Sequence, residues 1–303
     1  MSSDFSSVNI ILASYNGEKY IQKQLESILN QTYPIASIHV FDDCSTDNTV
    51  HILREFERQG QIHLHINNKN IGLIENFKRG IQLLSKDGYI ALSDQDDIWD
   101  KRKIEDSVLK MCEIENDPFI PALVYSDLIV INHNDDIVAK SFWKETNRSH
   151  YKHCLETVLF SNVVNGCTIL FNSAMAKFAR DIPDKIIQNH DAWLALIAFS
   201  FGQVGIINKA TVNYRQHQEN ITFSVREKKE SSLKKIKKNI VFLFKPSLFL
   251  TTQLDLIKSF YLTYEKRIDV NQKLLFERFL KLRGRNYLTQ KHYILDVIRK
   301  SNR

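Results

Sequence analysis

The chain has 303 residues, 43% of them hydrophobic, with a net charge of +6 and a pI near 9.0. This composition excludes disorder and collagen-like repetition, and the size predicts one large core with a smaller appendage. The N-terminus has neither a basic stretch nor a long apolar run, so we expect no signal peptide, no membrane span and a cytoplasmic location. Four scattered cysteines without C-x-x-C spacing indicate neither a zinc site nor a disulfide framework.

The first hundred residues alternate apolar strands with amphipathic helices. The run from Val8 to Ser14 is almost wholly apolar, which is typical of a strand buried on both faces. A helical pattern follows, and the same alternation continues through "ASIHVFDD", "QIHLHIN", "NFKRGIQLLSK" and "GYIALSD". This β-α-β-α-β-α-β order predicts an α/β domain with a mostly parallel central sheet.

After Trp99 the pattern becomes mixed. Strand candidates lie at "ALVYSDLIVIN", "GCTILFN" and "ATVNYRQH", and a helix is predicted near "HDAWLALIAFS". Beyond about residue 223 the chain is rich in lysine and then helical. We therefore predict an α/β domain over residues 1–223 and a basic, mainly helical extension over residues 224–303.

The stretch "SDQDDIW", from Ser93 to Trp99, places three carboxylates in four positions after an apolar strand. Side chains alternate along a strand, so Asp94 and Asp96 are expected to point one way and Asp97 the other. Two such carboxylates can share Mg²⁺ or Mn²⁺, whose coordination a diphosphate completes. An acidic turn that caps the next helix explains the residues equally well.

The ends of two other predicted strands carry polar groups at the same edge of the sheet, where α/β sheets bind ligands. Asp43 can accept a hydrogen bond from a base or a ribose hydroxyl, and Tyr15 can stack on a nucleobase. Each residue alone is more often structural. Together with the acidic stretch they predict a nucleotide-diphosphate site.

Four segments, "ILASYNGEKYIQKQLESILNQTY", "VFDDCSTDNT", "NIGLIENFKRGI" and "LSDQDDIW", occur in an order and spacing that resembles family 2 glycosyltransferases. The resemblance covers about residues 8–222. It implies a GT-A fold, which is Rossmann-like with a mostly parallel sheet, and metal-dependent, inverting sugar transfer from a nucleotide donor. The chain departs from the family pattern at Cys44, where glycine is usual, and at Ala13, where threonine or proline is frequent.

The resemblance also implies roles for individual residues. Inverting transfer needs a base for the acceptor hydroxyl and a cation for the leaving diphosphate. The implied set is a catalytic base at Asp191; donor contacts at Tyr15, Asp43, Asn76, Asp94 and Arg215; metal ligands at Asp94, Asp96 and His217; and acceptor contacts at Trp99, Asn165, Thr168 and Trp193. Structural alternatives stay open: a helix cap at Asp191, a satisfied structural histidine at His217 and core packing for both tryptophans.

The wording "SDQDDIW", "NGCT" and "HDAW" is most similar to bacterial rhamnosyltransferases of O-antigen or capsular polysaccharide synthesis. That similarity implies a dTDP-L-rhamnose donor and a saccharide acceptor, expected to be lipid-linked. A UDP-hexose donor is the alternative for the same fold and reaction. A scaffold that binds nucleotide sugar without turnover is a further alternative, which a catalytic role of Asp191 opposes.

The segment from Arg226 to Lys245 has eight basic and two acidic residues beside an apolar stretch. This combination suits a peripheral position on an anionic membrane, and a solvated linker is the alternative. The high pI raises nucleic-acid binding as another function class. We expect no nucleic-acid partner, because the carboxylates gather at the sheet edge and the lysines lack interleaved aromatic platforms.

Overall fold

The computed structural model describes residues 6–84, 88–180, 182–183, 190–216 and 247–301. The first half alternates strands and helices as the sequence predicts. Its strands are Val8–Ser14 (β1), Ser37–Asp42 (β2), His63–Ile66 (β3) and Tyr89–Ser93 (β4), and its helices are Ile21–Leu29 (α1), Thr49–Arg58 (α2) and Leu73–Leu84 (α3).

The later elements are shorter and less regular until the C-terminal helices. The strands are Ile98–Trp99 (β5), Ala122–Ile131 (β6), Ile137–Ala139 (β7), Leu170–Asn172 (β8) and Gln203–Arg215 (β9). The helices are Lys103–Ile114 (α4), Phe142–Glu145 (α5), Leu155–Val158 (α6), Ser173–Ala179 (α7), His190–Phe201 (α8), Thr251–Tyr264 (α9), Val270–Leu280 (α10) and Tyr287–Ser301 (α11), with a 3₁₀ turn at Gly166–Thr168.

Within the described ranges, nine strands form one sheet with the order β3-β2-β1-β4-β8-β6-β9-β5, and β7 pairs with β6. Strands β1 to β4 are mutually parallel, because a helical crossover joins each one to the next and returns the chain to the same end of the sheet. Strand β8 runs antiparallel to β4 and β6, and β5 runs antiparallel to β9. Strand β6 runs parallel to β9 along its whole length. The α/β class is confirmed, with all-parallel order in the first half and mixed order in the second.

Strand β1 is the centre of the core. Ile10, Ile11 and Leu12 are fully buried, as the unbroken apolar run predicts. Helix α3 lies close against this strand at Gly80, where an added Cβ would stand 2.6 Å from Ile11 Cγ2. Any larger residue there would push α3 away, so Gly80 sets the distance between the helix and the sheet.

The C-terminal helices pack on α8. The Trp193 ring contacts Phe260 edge-on at 5.2 Å between centroids and Tyr264 at 6.1 Å. All three side chains are buried, so α9 completes the apolar surroundings of α8. None of the helices in the described ranges has both the length and the apolar content to cross a bilayer.

Candidate active site

The acidic stretch follows the end of β4 at Ser93, and residues 94–97 form a turn. Strand alternation therefore stops before the first carboxylate. Ligand atoms of Asp94, Asp97 and Cys167 all lie within 4.8 Å of one another. The expectation that Asp97 points away from Asp94 is wrong, because a turn and not a strand carries the two side chains.

This cluster concentrates negative charge in a poorly hydrated place. Burial, and then the charges of Asp96 and Asp191, raise the pKa of Asp94 to about 7. Burial, and then the same kind of repulsion from Asp96 and Asp94, raise the pKa of Asp97 well above its usual value. A bound cation would relieve both effects.

The donor set of this cluster fits a hard divalent cation. Carboxylate oxygens are the ligands that Mg²⁺ and Mn²⁺ prefer. Burial, and then the neighbouring carboxylates Asp97 and Asp94, raise the pKa of the Cys167 thiol, which keeps it protonated and a poor ligand. Asp94, with Asp96 or Asp97 beside it, is therefore suited to hold the cation, while Cys167 lines the floor of the site.

Arg215, at the end of β9, supports the acidic turn from inside the protein. Its Nε donates to the backbone oxygen of Asp96 at 2.8 Å, and its backbone N–H donates to Asp97 Oδ1 at 3.1 Å. The same guanidinium donates to the backbone oxygen of Asn132 and pairs with Asp135. The Arg215 side chain is fully buried by these contacts. In this structure the guanidinium binds protein oxygens behind the turn, and a donor contact by Arg215 stays a prediction.

Tyr15 directly follows the end of β1, and the residue is 45% exposed. Its backbone N–H donates to Gln95 Oε1 at 2.8 Å, and Gln95 Nε2 donates back to the Tyr15 oxygen at 2.9 Å. This pair of hydrogen bonds fastens the acidic turn to the end of β1. Stacking of Tyr15 on a nucleobase stays a prediction, and the exposed ring is compatible with it.

Asp43 and Asn76 lie in a buried network beneath the loop that precedes α3. Asp43 accepts hydrogen bonds from Asn67 Nδ2 at 2.9 Å and from the backbone N–H groups of Ile71 and Gly72 at 2.8 Å. Asn76 Oδ1 accepts from the same Asn67 amide at 2.7 Å. Donor contacts by the two residues stay predictions, and in this structure both belong to the hydrogen-bond network of the loop that precedes α3.

Asp191 lies in the first turn of α8 and is 9% exposed. The Gly166 N–H donates to its Oδ2 at 3.3 Å, whereas Oδ1 has no hydrogen-bond partner in the described part of the chain. Burial raises the pKa of Asp191 to about 6, although N–H groups of Ala192 and Gly166 and the charge of Arg148 oppose this rise. Because its charge also raises the pKa of Asp94, the two carboxylates are electrostatic neighbours.

Comparison with known proteins decides the family. Residues 9–177, more than half of the chain, match the family model described as glycosyl transferase family 2. The chain belongs to glycosyltransferase family 2.

Three relatives illustrate the range of similarity to this glycosyltransferase. The dTDP-rhamnosyl transferase RfbG of Shigella flexneri is 42% identical over 102 residues, which are 32% of this chain and 35% of RfbG. An uncharacterized glycosyltransferase of Haemophilus influenzae is 25% identical over 302 residues, which are 95% of this chain and 90% of the relative. The Escherichia coli glucosyltransferase WfgD is 35% identical over 133 residues, 44% of this chain and 49% of WfgD.

The solved structure of Staphylococcus aureus TarS, residues 1–349 with UDP-GlcNAc, matches this glycosyltransferase with a TM-score of 0.56. The match covers 90% of this chain and 79% of that one at 16% identity. At such low identity the likeness shows the fold alone. The predicted GT-A fold with C-terminal helices is confirmed.

Three of the four residues expected to contact the acceptor are buried in the glycosyltransferase. Trp99 is 3% exposed with the Lys103 ammonium 3.9 Å above its ring, and Trp193 is fully enclosed. Thr168 is also fully buried and donates its hydroxyl hydrogen to the Asn165 oxygen at 2.8 Å. The acceptor prediction is wrong for these three, because packing around α4 and α8 leaves none of them a surface for a sugar.

Asn165 remains a candidate for the acceptor side, since its Nδ2 has no hydrogen-bond partner among the described residues. His190 was missed by sequence reasoning. Its buried ring lies 4.3 Å from Phe77 between centroids, and neither ring nitrogen has a partner in the described ranges. Burial lowers the pKa of His190 to about 4, so the ring is neutral at pH 7. His217 lies outside the described residues, as does the basic segment from Arg226 to Lys245.

Gly17 is required by the contact between Gln95 and the end of β1. A Cβ at Gly17 would stand 2.3 Å from Gln95 Oε1. We expect Gly17→Ala to displace Gln95, to lower the free energy of unfolding by about 1–3 kcal/mol and to raise the KM for the donor. In a Gln95→Ala background the same Gly17→Ala change should cost far less, which urea denaturation of the four proteins measures. Equal costs in both backgrounds contradict the contact.

Proposed function

We propose that this glycosyltransferase transfers L-rhamnose from dTDP-L-rhamnose to a saccharide acceptor with inversion, assisted by Mg²⁺ or Mn²⁺. The observation that supports the reaction best is the Asp191 carboxylate, buried, with one unpartnered oxygen, beside the acidic turn. The donor sugar is suggested by the likeness to RfbG, a dTDP-rhamnosyl transferase by name.

Asp191 is the proposed base. Its Oδ1 is available to accept the proton of the acceptor hydroxyl, while the hydrogen bond from Gly166 to Oδ2 fixes the carboxyl group. With a pKa of about 6, the Asp191 carboxyl is mostly ionised at pH 7. Its pKa also lies close to the working pH, which is what an efficient general base needs. Asn165 Nδ2, close by in sequence to Gly166, is the proposed hydrogen-bond donor to the acceptor.

The acidic turn is the proposed site of the leaving group. Asp94 and Asp96 would hold the cation with Asp97 beside them, and the cation would supply positive charge for the departing nucleoside diphosphate. The exposed ring of Tyr15 and the loop shaped by Asp43 bound the proposed nucleotide position. His217 completes the proposed ligand set and lies outside the described residues.

A UDP-hexose donor is the second candidate for the same site. WfgD is by name a UDP-Glc:α-D-GlcNAc-diphosphoundecaprenol β-1,3-glucosyltransferase. The name also supports a lipid-linked oligosaccharide acceptor for this chain. We propose accordingly that residues 1–223 carry the transferase, that residues 224–303 form its helical extension, and that the protein works at the cytoplasmic face of a membrane, without a nucleic-acid partner.

Release of nucleoside diphosphate from a panel of nucleotide sugars tests the proposal. We expect release from dTDP-L-rhamnose with Mg²⁺ or Mn²⁺, at least tenfold above that from UDP-glucose, and its loss in EDTA. Asp94→Asn should abolish the metal-dependent release, whereas Asp117→Asn, a change at a partly exposed loop residue, should leave that release unaltered. Preference for UDP-hexoses would replace the donor, and metal-independent release would contradict the proposed role of the acidic turn.

A further inference from the structure

An apolar tip lies where the turn before α9 meets the start of α11. We define the apolar tip as Leu248, Phe249, Tyr287 and Leu288. Leu248 is 84% exposed, and Phe249 and Leu288 are each about half exposed. A cluster of exposed large apolar side chains is costly in water and marks a surface that something covers.

A hydrogen bond and a ring contact join the two segments that form the apolar tip. The Ser247 N–H donates to the Arg285 backbone oxygen at 3.0 Å, which joins the two segments. The rings of Phe249 and Tyr287 meet edge-on at 5.2 Å between centroids. Leu250, the next residue, is buried at 2% exposure and anchors the turn in the core. These contacts hold the two segments together while Leu248, Phe249 and Leu288 stay exposed.

Exposed basic residues accompany the Tyr287 side of the apolar tip. From Arg278 to Leu295 the sequence contains five Lys and Arg residues and no Asp or Glu. Lys281, Arg283, Arg285 and Lys291 of this stretch are exposed, and the Lys291 ammonium lies 5.8 Å from the centre of the Tyr287 ring.

We propose that the apolar tip docks on an anionic lipid surface. Apolar side chains would enter the boundary between headgroups and acyl chains, and the basic residues around them would contact anionic headgroups. A second copy of the chain is a poorer occupant, because a two-fold interface centred on this patch would bring two basic rims together. The inference rests on the proposed function only in that a lipid-linked acceptor would lie on the same surface.

Vesicle co-sedimentation of the full-length protein tests the docking. We expect binding to vesicles that contain phosphatidylglycerol and at least tenfold weaker binding to phosphatidylcholine alone. Leu248→Glu should weaken binding to the anionic vesicles at least tenfold. The matched control is Phe119→Glu, the same kind of change at a side chain that is 81% exposed outside the tip, and it should bind as the wild type does.

A tryptophan at the tip gives a second, independent reading. The three native tryptophans are buried, so Phe249→Trp adds an exposed reporter. Its emission should shift to the blue with anionic vesicles, and a shift that is absent overturns the proposal. So does equal binding of Leu248→Glu and wild type, or self-association in sedimentation velocity that Leu248→Glu abolishes. Donor hydrolysis without vesicles should be the same in Leu248→Glu and wild type, which separates this test from that of the proposed function.

Discussion

Asp191→Asn is expected to reduce transfer by about 10²–10⁴-fold, the usual contribution of a general base, and to make the protein more stable at neutral pH. The loss of activity follows from the proposed proton transfer to Oδ1. The gain in stability follows from burial, because an ionised carboxylate at 9% exposure is poorly solvated and asparagine carries no charge. Replacement of a purely structural carboxylate would not combine a loss of activity with a gain in stability.

The pH dependence has a defined sign. The folded protein holds the Asp191 proton up to about pH 6, whereas the ordinary pKa of the group is 3.8. As the pH rises from about 4 to 6, the unfolded chain releases this proton first, so the contribution of Asp191 to the free energy of unfolding falls by about 2–3 kcal/mol and then stays level. Turnover should rise over the same range with a midpoint near 6, because the base must be ionised. Melting curves and kcat/KM at pH 4.5 to 8 measure both effects.

A helix cap with a known geometry provides the control. Asp269 is the N-cap of α10, where it accepts from the Gln272 N–H at 2.9 Å in a capping box. Asparagine caps as well as aspartate, so Asp269→Asn should leave activity and stability nearly unchanged at every pH. If Asp191→Asn behaves like Asp269→Asn, with normal turnover and no gain in stability at pH 8, Asp191 is a structural residue of α8.

The sequence predicts the parallel half of the sheet well because its strands are buried on both faces. Ile10, Ile11 and Leu12 must all be apolar in that position, and the run is visible without any structure. The half of the sheet that mixes parallel and antiparallel strands is harder to predict from sequence. Its strands β5 and β8 have only two and three residues, and their partners are distant in sequence. Pairing of such short strands depends on the rest of the fold.

Residue type at the site was easier to predict than residue orientation. The acidic stretch and Asp191 were found from sequence, but the alternation rule failed after Ser93, where the strand ends. Trp99 was expected at a sugar because aromatic rings suit both a sugar and a core, and only packing distinguishes the two. Gln95 lay inside a recognised motif, yet its bonds to Tyr15 join residues 80 positions apart.

Arg215→Met is expected to lower the free energy of unfolding by about 3–5 kcal/mol and to weaken cation binding at the acidic turn. The substitution keeps a long apolar stem and removes the guanidinium. Backbone oxygens of Asp96 and Asn132 then lose a charged donor inside the protein, and Asp135 keeps its pair with Lys23, whose Nζ lies 2.6 Å from Asp135 Oδ2. The turn that carries the carboxylates keeps the backbone hydrogen bond from residue 215 to Asp97 but loses the support of the guanidinium.

Arg283→Met is the matched control, because Arg283 pairs with Asp255 where both side chains are substantially exposed, and such a pair contributes about 0–1 kcal/mol. Arg215→Lys should recover little stability, since an ammonium cannot donate in the fixed directions of a guanidinium. Urea denaturation measures stability. Calorimetric titration with Mn²⁺, at a temperature below the melting range, measures cation binding at the acidic turn. If Arg215→Met denatures at the same urea concentration as the wild type but raises the KM for the donor, the guanidinium contacts the diphosphate. The proposed support of the turn by this side chain is then contradicted.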